Sequence, residues 1–182
     1  MKIGSTRKIF SGKWLIANET TFLDKTGKER KYEFVERRNQ RQVVTVICKS
    51  RKSGKILLVS QHRIPIQAVE VAFPAGLVDK GEPIEEAALR ELREETGYKA
   101  KIISISDPLP KSAGLTNEVS SLVHCETDES DWEKPNMDET EEIVSMWVKP
   151  SEFEKLVKDW KANNVKIAHE LYCFMMGTKF SQ

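Results

Sequence analysis

The segment at residues 83–97 constrains the fold more than any other part of the sequence. Pro83 stands where a helix begins, because its missing N–H group is one that a helix start leaves unpaired. Good helix formers follow, and Gly97 is placed to end the helix. Segments typical of strands lie on both sides. The sequence therefore predicts a mixed α/β fold in which one central helix packs against sheet.

The other elements are predicted from β-branched residues and from the turn residues between them. The predicted strands are Lys13–Phe22, Lys31–Arg38, Val43–Lys49, Lys55–Gln61, Val69–Phe73, Lys101–Ser106, Val119–Cys125 and Ile143–Val148. The first two form a hairpin. We expect the chain to turn at Pro74–Gly76 and the acidic residues 126–142 to form a loop. Two further helices are predicted, Pro150–Trp160 and Ile167–Gly177.

Length and composition indicate a folded domain. The chain has 182 residues, of which 39% are hydrophobic and 31% charged, so a sizeable core is possible. No apolar run approaches the roughly 18–20 residues that span a bilayer, and the first residues do not resemble a signal peptide. Cys48, Cys125 and Cys173 are far apart in the sequence and suggest no disulfide framework. We expect a reduced, cytoplasmic protein that binds no membrane.

The net charge of +1 conceals an uneven distribution. Residues 1–63 carry a net charge of +11, and the remaining residues carry −10. A basic segment can serve nucleic acid, an anionic small molecule or the acidic half of the same chain. Nucleic-acid binding requires further support, such as interleaved aromatic residues or a known module, and the sequence offers neither. Nucleic acid is therefore not an expected partner.

Three carboxylates lie along one side of the predicted central helix. Glu91 and Glu95 are four residues apart, and Glu94 lies between them in the last turn. Like charges at this spacing repel, and acids near a helix C-terminus oppose the helix dipole. A hard divalent cation such as Mg²⁺ or Mn²⁺ removes both penalties. The alternative from helix geometry alone is a solvated face on which Arg90 and Arg93 form ion pairs.

The wider pattern favours the metal. From Gly76 the sequence reads five residues, Glu82, seven residues and then Arg90-Glu91-Leu92-Arg93-Glu94-Glu95-Thr96-Gly97. This resembles the Nudix box at every fixed position except the last, where Tyr98 replaces an aliphatic residue. The resemblance implies the Nudix fold, in which mixed β-sheets are sandwiched with helices. It also implies Mg²⁺-dependent hydrolysis of a nucleoside diphosphate linked to another moiety, X.

The same resemblance assigns a role to each box position. It implies that the Ala75 carbonyl and the carboxylates of Glu91 and Glu95 are metal ligands, with Glu94 a nearby ligand that also belongs to the catalytic set. Glu82 and Arg90 match positions that orient these carboxylates, and through this role Arg90 is placed in the catalytic set as well. Bound metals are expected to neutralise the diphosphate and to help generate hydroxide from water.

A longer stretch, from about Gly12 to Pro150, resembles the ADP-ribose pyrophosphatase branch of this family. The likeness rests on Gly12-Lys13-Trp14, Lys31–Arg37, Gln61–Pro65, Glu70–Gly76 and Gly114–Glu118. The loop after the box departs from the branch because Ala113 replaces its usual proline. The resemblance implies hydrolysis of ADP-ribose to AMP and ribose 5-phosphate. GDP-mannose or a broad range of nucleotide sugars is the alternative.

The branch resemblance also identifies residues that bind substrate. Trp14 and Tyr32 fall where the family places residues that stack on the base, although Tyr32 replaces a common tryptophan. Arg63 and Arg37 are candidates for the diphosphate, because a guanidinium can bind two oxygens at once. The alternative role for the two aromatic residues is packing in the hairpin or at an interface. The alternative for Arg37 is an exposed side chain that binds no ligand.

In this branch the general base is thought to be a glutamate in a late loop. The matching loop contains Glu139, Glu141 and Glu142, and counting back from the strand at Ile143–Val148 favours Glu141. No arrangement of Ser, His or Cys suggests a covalent nucleophile, so direct attack by water is expected.

Residues 1–40 are expected to form an N-terminal antiparallel hairpin for dimerisation and base binding, and residues 41–182 the Nudix catalytic domain. The family resemblance implies a homodimer in which the hairpin completes the neighbouring adenine site. Two other functions remain open: a nucleotide-binding regulator without turnover, and RNA decapping. The intact box argues against the regulator, and only the basic N-terminal half supports decapping.

Overall fold

The computed structural model describes residues 2–39, 42–137 and 142–180. Its N-terminal sheet consists of three antiparallel strands, β1 (Lys2–Ser11), β2 (Leu15–Leu23) and β3 (Glu29–Arg37). The second and third strands confirm the predicted hairpin to within two residues. The first strand is a finding that the sequence pattern missed. All of its residues are exposed, so no alternation of polar and apolar residues marks it.

The second sheet has nine strands and mixes parallel with antiparallel pairs. Its strands are β4 (Val43–Ser50), β5 (Ile56–Arg63), β6 (Ala68–Ala72), β7 (Ala75–Leu77), β8 (Lys101–Ile105), β9 (Leu109–Pro110), β10 (Val119–Thr127), β11 (Ile143–Val148) and β12 (Lys166–Ile167). Strand β4 runs parallel to β10, and β6 runs parallel to β12. The other pairs are antiparallel.

This sheet divides into two halves. Strands β7, β4, β10, β8 and β9 form one half, and β11, β5, β6 and β12 form the other. Along the described strands β4 and β5, the register contains one residue pair, Lys49 with Ile56, beside the turn that joins them. The two strands therefore separate soon after the turn.

Three helices cover the strands: α1 (Ile84–Thr96), α2 (Phe153–Ala162) and α3 (His169–Phe180). Strand β5 is buried on both faces, because Leu57 packs with α1 whereas Ile56 and Leu58 pack with α2 and α3. This architecture confirms the predicted α+β class, with a mixed sheet between helices and a preceding antiparallel sheet. None of the helices in the described ranges is both long and apolar enough to cross a membrane.

Several local predictions need correction. Residues Pro74–Gly76 were expected only to turn, but Ala75–Leu77 is a short strand paired with Val43–Thr45. A 3₁₀ turn at Pro150–Glu152 precedes α2, and β12 precedes α3, so both C-terminal helices start later than predicted. These elements depend on contacts with distant strands, which local residue patterns do not contain.

The described part of the acidic loop, residues 128–137, lies against the end of α1. The Trp132 indole N–H donates to the Thr96 carbonyl at 3.1 Å, and the Glu133 backbone N–H donates to the Gly97 carbonyl at 2.9 Å. Arg93 and Lys99 both form ion pairs with the Glu133 carboxylate. The loop is thus held by backbone and side-chain contacts where the helix ends.

Tyr98, the residue that departs from the Nudix pattern, has a structural role in the same region. Its ring lies edge-on against Trp147, with 5.2 Å between the ring centroids. Its backbone also forms an isolated bridge with Trp132. An aromatic residue at this position therefore packs between β11 and the acidic loop.

Replacing Gly97 tests how closely the loop approaches the helix. Gly97 has a φ of +78°, and a Cβ atom there would collide with the Glu133 carbonyl. We expect Gly97→Ala to lower the free energy of unfolding by more than about 1 kcal/mol, because backbone strain adds to the collision. Urea denaturation measures the loss.

Gly81→Ala is the matched control, because Gly81 has a φ of +83° and open space around it. This variant should incur the strain of the left-handed backbone alone, about 1 kcal/mol or less. Equal losses in the two variants would contradict the close docking of the acidic loop.

Candidate active site

The Nudix box brings backbone and carboxylate groups together where β7 leads towards α1. A Cβ atom on Gly76 would collide with the carboxylate of Glu91, so only glycine permits this approach. The buried Glu95 accepts a hydrogen bond from the Ala75 backbone N–H at 3.1 Å. Ala75, Glu91 and Glu95, the expected metal-binding residues, therefore lie close together.

The guanidinium of Arg90 joins three carboxylates. It binds both oxygens of Glu82, at 2.8 and 2.9 Å. It also donates to Glu91 at 2.8 Å and to Glu94 at 3.1 Å. A further bond at 3.0 Å reaches the Leu77 carbonyl of β7. Arg90 thus ties the strand before the box helix to the carboxylates on it, as an orienting residue would.

These contacts change the proton affinities of the paired groups. The hydrogen bond from Arg90 is the largest influence on Glu82 and lowers the pKa of its carboxyl to about 2. Hydrogen bonds to Glu82 and then to Glu91 raise the pKa of Arg90. Both groups are therefore charged at every pH at which the protein is expected to work.

The box residues are of the chemical type that binds a hard divalent cation, but their side chains are not arranged around a common metal position. In the described ranges, no group of three His, Cys, Asp or Glu side chains is arranged to hold a metal. Arg90 bonds to Glu91 and Glu94 instead. The donor chemistry nonetheless suits Mg²⁺, because both oxygens of the Glu91 carboxylate lie beside the Gly76 backbone, where a Cβ atom would fill the space, and Glu95 Oε2 lies 3.1 Å from the neighbouring backbone nitrogen, that of Ala75.

A cavity of about 990 Å³ opens beside these carboxylates. Its lining includes Arg90, Glu91 and Glu94 of the box, together with Ala75 and Gly76. This volume accommodates a ligand of nucleotide size, since pockets for small molecules usually span about 300–1,000 Å³.

The structure brings both predicted diphosphate-binding arginines to this cavity. Arg37 lines it from the end of β3 and is paired with Glu118. Arg63 lines it from the end of β5 and is paired with Glu70 at 3.2 Å. Both guanidinium groups are partly exposed, so an anionic ligand can reach them.

Trp14 and Tyr32 are not brought into the cavity of the described chain. Trp14 is 71% exposed, with the Lys13 ammonium 4.7 Å from its ring centroid. Tyr32 is half-exposed, and its hydroxyl donates to the Gly114 carbonyl at 2.7 Å. The Tyr32 hydroxyl therefore binds the loop after β9, a contact that the sequence did not predict.

The predicted general base lies outside the described residues. Glu139 and Glu141 belong to residues 138–141, on which the structure gives no description. Glu142 is exposed immediately before β11 and is not part of the cavity lining. The assignment of Glu141 as the base remains a prediction.

Sequence reasoning did not assign Glu70, Asp79, Lys111, Glu118 or Glu170 to the site, although all five line the cavity. Lys111 and Glu170 are paired with each other. Lys111 follows β9, and Glu170 lies in the first turn of α3. Their side chains form an ion pair at 2.7 Å. Because 58 residues lie between them, no local signal could have found the pair.

A mixed sheet, a carboxylate-bearing helix after a glycine turn and an adjacent cavity are the features that the resemblance to the Nudix box predicts. Comparison identifies the family directly: the NUDIX domain model matches residues 38–171. The chain therefore belongs to the Nudix family, and the prediction of a Nudix hydrolase is confirmed.

Relatives agree with this assignment. An ADP-ribose pyrophosphatase of Bacillus subtilis is 34% identical over 90% of this chain and 86% of its own length. An ADP-sugar pyrophosphatase of Mus musculus is 35% identical over 66% of this chain and 59% of its own length. The crystal structure of an ADP compounds hydrolase matches with a TM-score of 0.72 at 22% identity. That match covers 90% of this chain and 87% of the other, and it shows the fold.

The pKa of Glu82 predicts how stability depends on pH. Folding lowers this pKa from its ordinary 4.5 to about 2, so the folded state favours the ionised carboxylate. The resulting stabilisation is fully present above about pH 4.5 and is lost as the pH falls towards 2.

We therefore expect Glu82→Gln to lower the free energy of unfolding at pH 7 relative to the wild type. The difference should shrink as the pH falls from about 4.5 to 2. Urea denaturation of both proteins at a series of pH values measures it. A difference that stays constant down to pH 2 would show that the ion pair with Arg90 does not stabilise the fold.

Proposed function

We propose that this protein hydrolyses the diphosphate bond of ADP-ribose, giving AMP and ribose 5-phosphate, with Mg²⁺ as cofactor and Mn²⁺ as the alternative. One observation carries the proposal: the box carboxylates and two arginines line the same cavity. The relatives named as ADP-ribose and ADP-sugar pyrophosphatases support the choice of substrate.

The charges of the cavity support a divalent cofactor. Its lining contains four cationic side chains and six acidic ones. A diphosphate adds further negative charge, so it cannot enter this cavity favourably without additional positive charge. Ala75, Glu91, Glu95 and Glu94 are the residues that would hold the metal. When bound, the metal supplies charge neutralisation and lowers the pKa of water.

The arginines bind and orient the diphosphate in this proposal. Arg37 and Arg63 each release their carboxylate partner and bind phosphate oxygens instead. The planar guanidinium group fits both kinds of ligand. Arg90 keeps the box carboxylates in place rather than contacting substrate. Glu141, the proposed general base, takes a proton from the attacking water. The water oxygen then bonds to one phosphorus atom of the diphosphate. The bond from that phosphorus to the bridging oxygen breaks, and the bridging oxygen leaves with the other phosphoryl group.

A broader nucleotide-sugar pyrophosphatase, acting also on GDP-mannose, is the second candidate. Among the described cavity-lining residues, Phe73 is the one aromatic residue, and it is buried. The cavity of one chain therefore lacks an exposed aromatic ring for the base, which favours broad specificity. A panel of nucleotide sugars, capped RNA and nucleoside triphosphates, assayed with Mg²⁺, separates these substrates. Binding of a nucleotide without turnover would instead indicate a nucleotide-binding regulator.

The base-binding aromatic residues lead us to propose a homodimer. The three-stranded sheet, within the proposed N-terminal unit of residues 1–40, exposes large apolar side chains, including Ile3, Phe10, Trp14 and Leu15. Exposed apolar surface of this kind marks an interaction site. In the proposed dimer, a second copy covers this apolar surface and brings its own Trp14 or Tyr32 to the adenine site. Neither residue lines the cavity of one chain.

We also propose a reducing compartment, the cytoplasm. Cys48 and Cys125 are register partners on neighbouring strands, yet both are free, as is Cys173. Hydrogen bonding to Cys48, together with burial, raises the pKa of the Cys125 thiol. The thiol form is the state that a reducing compartment preserves.

Glu91→Gln and Glu95→Gln test the metal assignment. Each removes one negative charge from the proposed ligands, so we expect most turnover to be lost at every substrate concentration. Steady-state assays over a range of Mg²⁺ concentrations measure the effect. Glu86→Gln is the control, because Glu86 is exposed on the same helix and should leave activity unchanged. Near-normal activity of either site variant at low Mg²⁺ would refute the assignment.

Tyr32 variants test the shared adenine site. Tyr32→Ala should raise KM for ADP-ribose more than it lowers kcat. Base stacking far from the reacting phosphorus stabilises the bound substrate and the transition state to the same extent. The loss in kcat/KM should be roughly 5- to 150-fold, as expected for one stacked base. Tyr32→Phe keeps the ring, loses the hydrogen bond to Gly114, and should retain most affinity.

Sedimentation of the wild-type protein provides the second measurement. A dimer is expected at assay concentrations. A monomer, or unchanged kinetics in both the Tyr32→Ala and Trp14→Ala variants, would rule out the shared site while leaving the hydrolase assignment intact.

A further inference from the structure

The Lys111–Glu170 ion pair is a charged feature of the cavity to which the proposed reaction gives no role. Both residues line the same cavity as Glu91 and Glu94. Lys111 Nζ lies 2.7 Å from Glu170 Oε1, and about a third of each side chain is exposed. A ligand in the cavity can therefore contact both charged groups.

The two residues are fixed by separate parts of the fold. The Lys111 backbone N–H donates to the Glu118 carbonyl at 3.0 Å, and the loop between them is bonded to β3 through Val35 and Leu115. The pair therefore joins this loop, which lies on the N-terminal sheet, to the start of α3.

The start of α3 is fixed independently on β6. The Ala168 backbone N–H donates to the Val71 carbonyl at 2.9 Å, and Phe174 packs edge-on against Phe73 at 5.5 Å between centroids. With its backbone fixed at both ends, the pair forms a stable part of the cavity wall.

The chemistry of this pair differs from that of the two arginine pairs. A guanidinium offers a planar fork that matches phosphate, whereas the Lys111 ammonium offers separate single hydrogen bonds. Burial raises the pKa of Glu170, but the hydrogen bond and charge of Lys111 help to outweigh it, and the net shift is downward. Glu170 is therefore an ionised hydrogen-bond acceptor at neutral pH.

Hydroxyl groups satisfy both members of such a pair. One hydroxyl of a diol can donate to the Glu170 carboxylate while its neighbour accepts from the Lys111 ammonium. An anionic group in the same place would face the Glu170 carboxylate, and an apolar group would desolvate both charges without replacing their hydrogen bonds.

We propose that Lys111 and Glu170 recognise the hydroxyl groups of the X moiety and thereby select nucleoside diphosphate sugars over substrates whose X group is anionic or lacks hydroxyls. This inference rests on the proposed function and assigns a specificity role to two further residues of its site. Lys111 and Glu170 contact the sugar, whereas the arginines bind the diphosphate.

The test compares two substrates that differ only in the X moiety: ADP-ribose, and ADP esterified at its β-phosphate with methanol. Lys111→Met and Glu170→Gln should each lower kcat/KM for ADP-ribose by about 10- to 100-fold, mainly through KM, because each loses a hydrogen bond to a charged group. For the methyl ester, kcat/KM should change less than about threefold, since that substrate has no hydroxyl on X.

Lys52→Met is the matched control, because Lys52 forms a similar pair with Asp128 at 2.7 Å outside the cavity lining. It should leave kcat/KM for both substrates unchanged. Equal losses on the two substrates in the cavity variants would overturn the proposal, because the pair would then act on the diphosphate or on the fold. Unchanged kinetics on ADP-ribose would overturn it as well.

A binding measurement on the wild-type protein does not depend on the variants. Calorimetry with Mg²⁺ should show that the α,β-methylene analogue of ADP-ribose binds at least about tenfold more tightly than the corresponding analogue of the methyl ester. Equal affinities would refute hydroxyl recognition. Failure of the wild type to hydrolyse ADP-ribose would instead refute the proposed function, and the same calorimetry on Lys111→Met and Glu170→Gln would then still decide the role of the pair.

Discussion

The site depends on one interaction, the contact of the Arg90 guanidinium with the carboxylates of Glu82, Glu91 and Glu94. Several acids crowded beside one helix would repel one another and weaken the fold. Arg90 offsets this repulsion, and its bond to the Leu77 carbonyl fixes the strand before the helix at the same time. The helix and the preceding strand therefore form one unit, in which the acidic side chains are already oriented.

Local residue patterns predicted the parts of the fold that are determined locally. The limits of α1 follow from Pro83 and Gly97, whose backbone preferences need no partner. Strand β1 was missed because it buries no face. Strand β7 was missed because three residues are too few for a pattern, and its pairing with β4 decides its conformation.

The candidate site was predictable to the extent that its residues are close in sequence. Glu91, Glu94 and Glu95 lie at helical spacing, so their common face follows from the amino-acid sequence alone. Arg37 and Arg63 were candidates only through the resemblance to a known branch, and both line the cavity. The Lys111–Glu170 pair could not be inferred, because it forms only when α3 packs on β6. The hydrogen bond that engages Tyr32 likewise needs the folded loop at Gly114.

The early separation of β4 and β5 has a consequence for how such a protein can diverge in evolution. The cavity takes lining residues from both halves of the sheet, among them Val43 from β4 and Arg63 from β5. Because one residue pair joins these described strands, side-chain packing rather than backbone hydrogen bonding sets the distance between the two walls. Substitutions in the core can therefore widen or narrow the cavity while strand register is kept. A lineage built on this sheet can acquire new substrates by gradual repacking, with its reaction centre left unaltered.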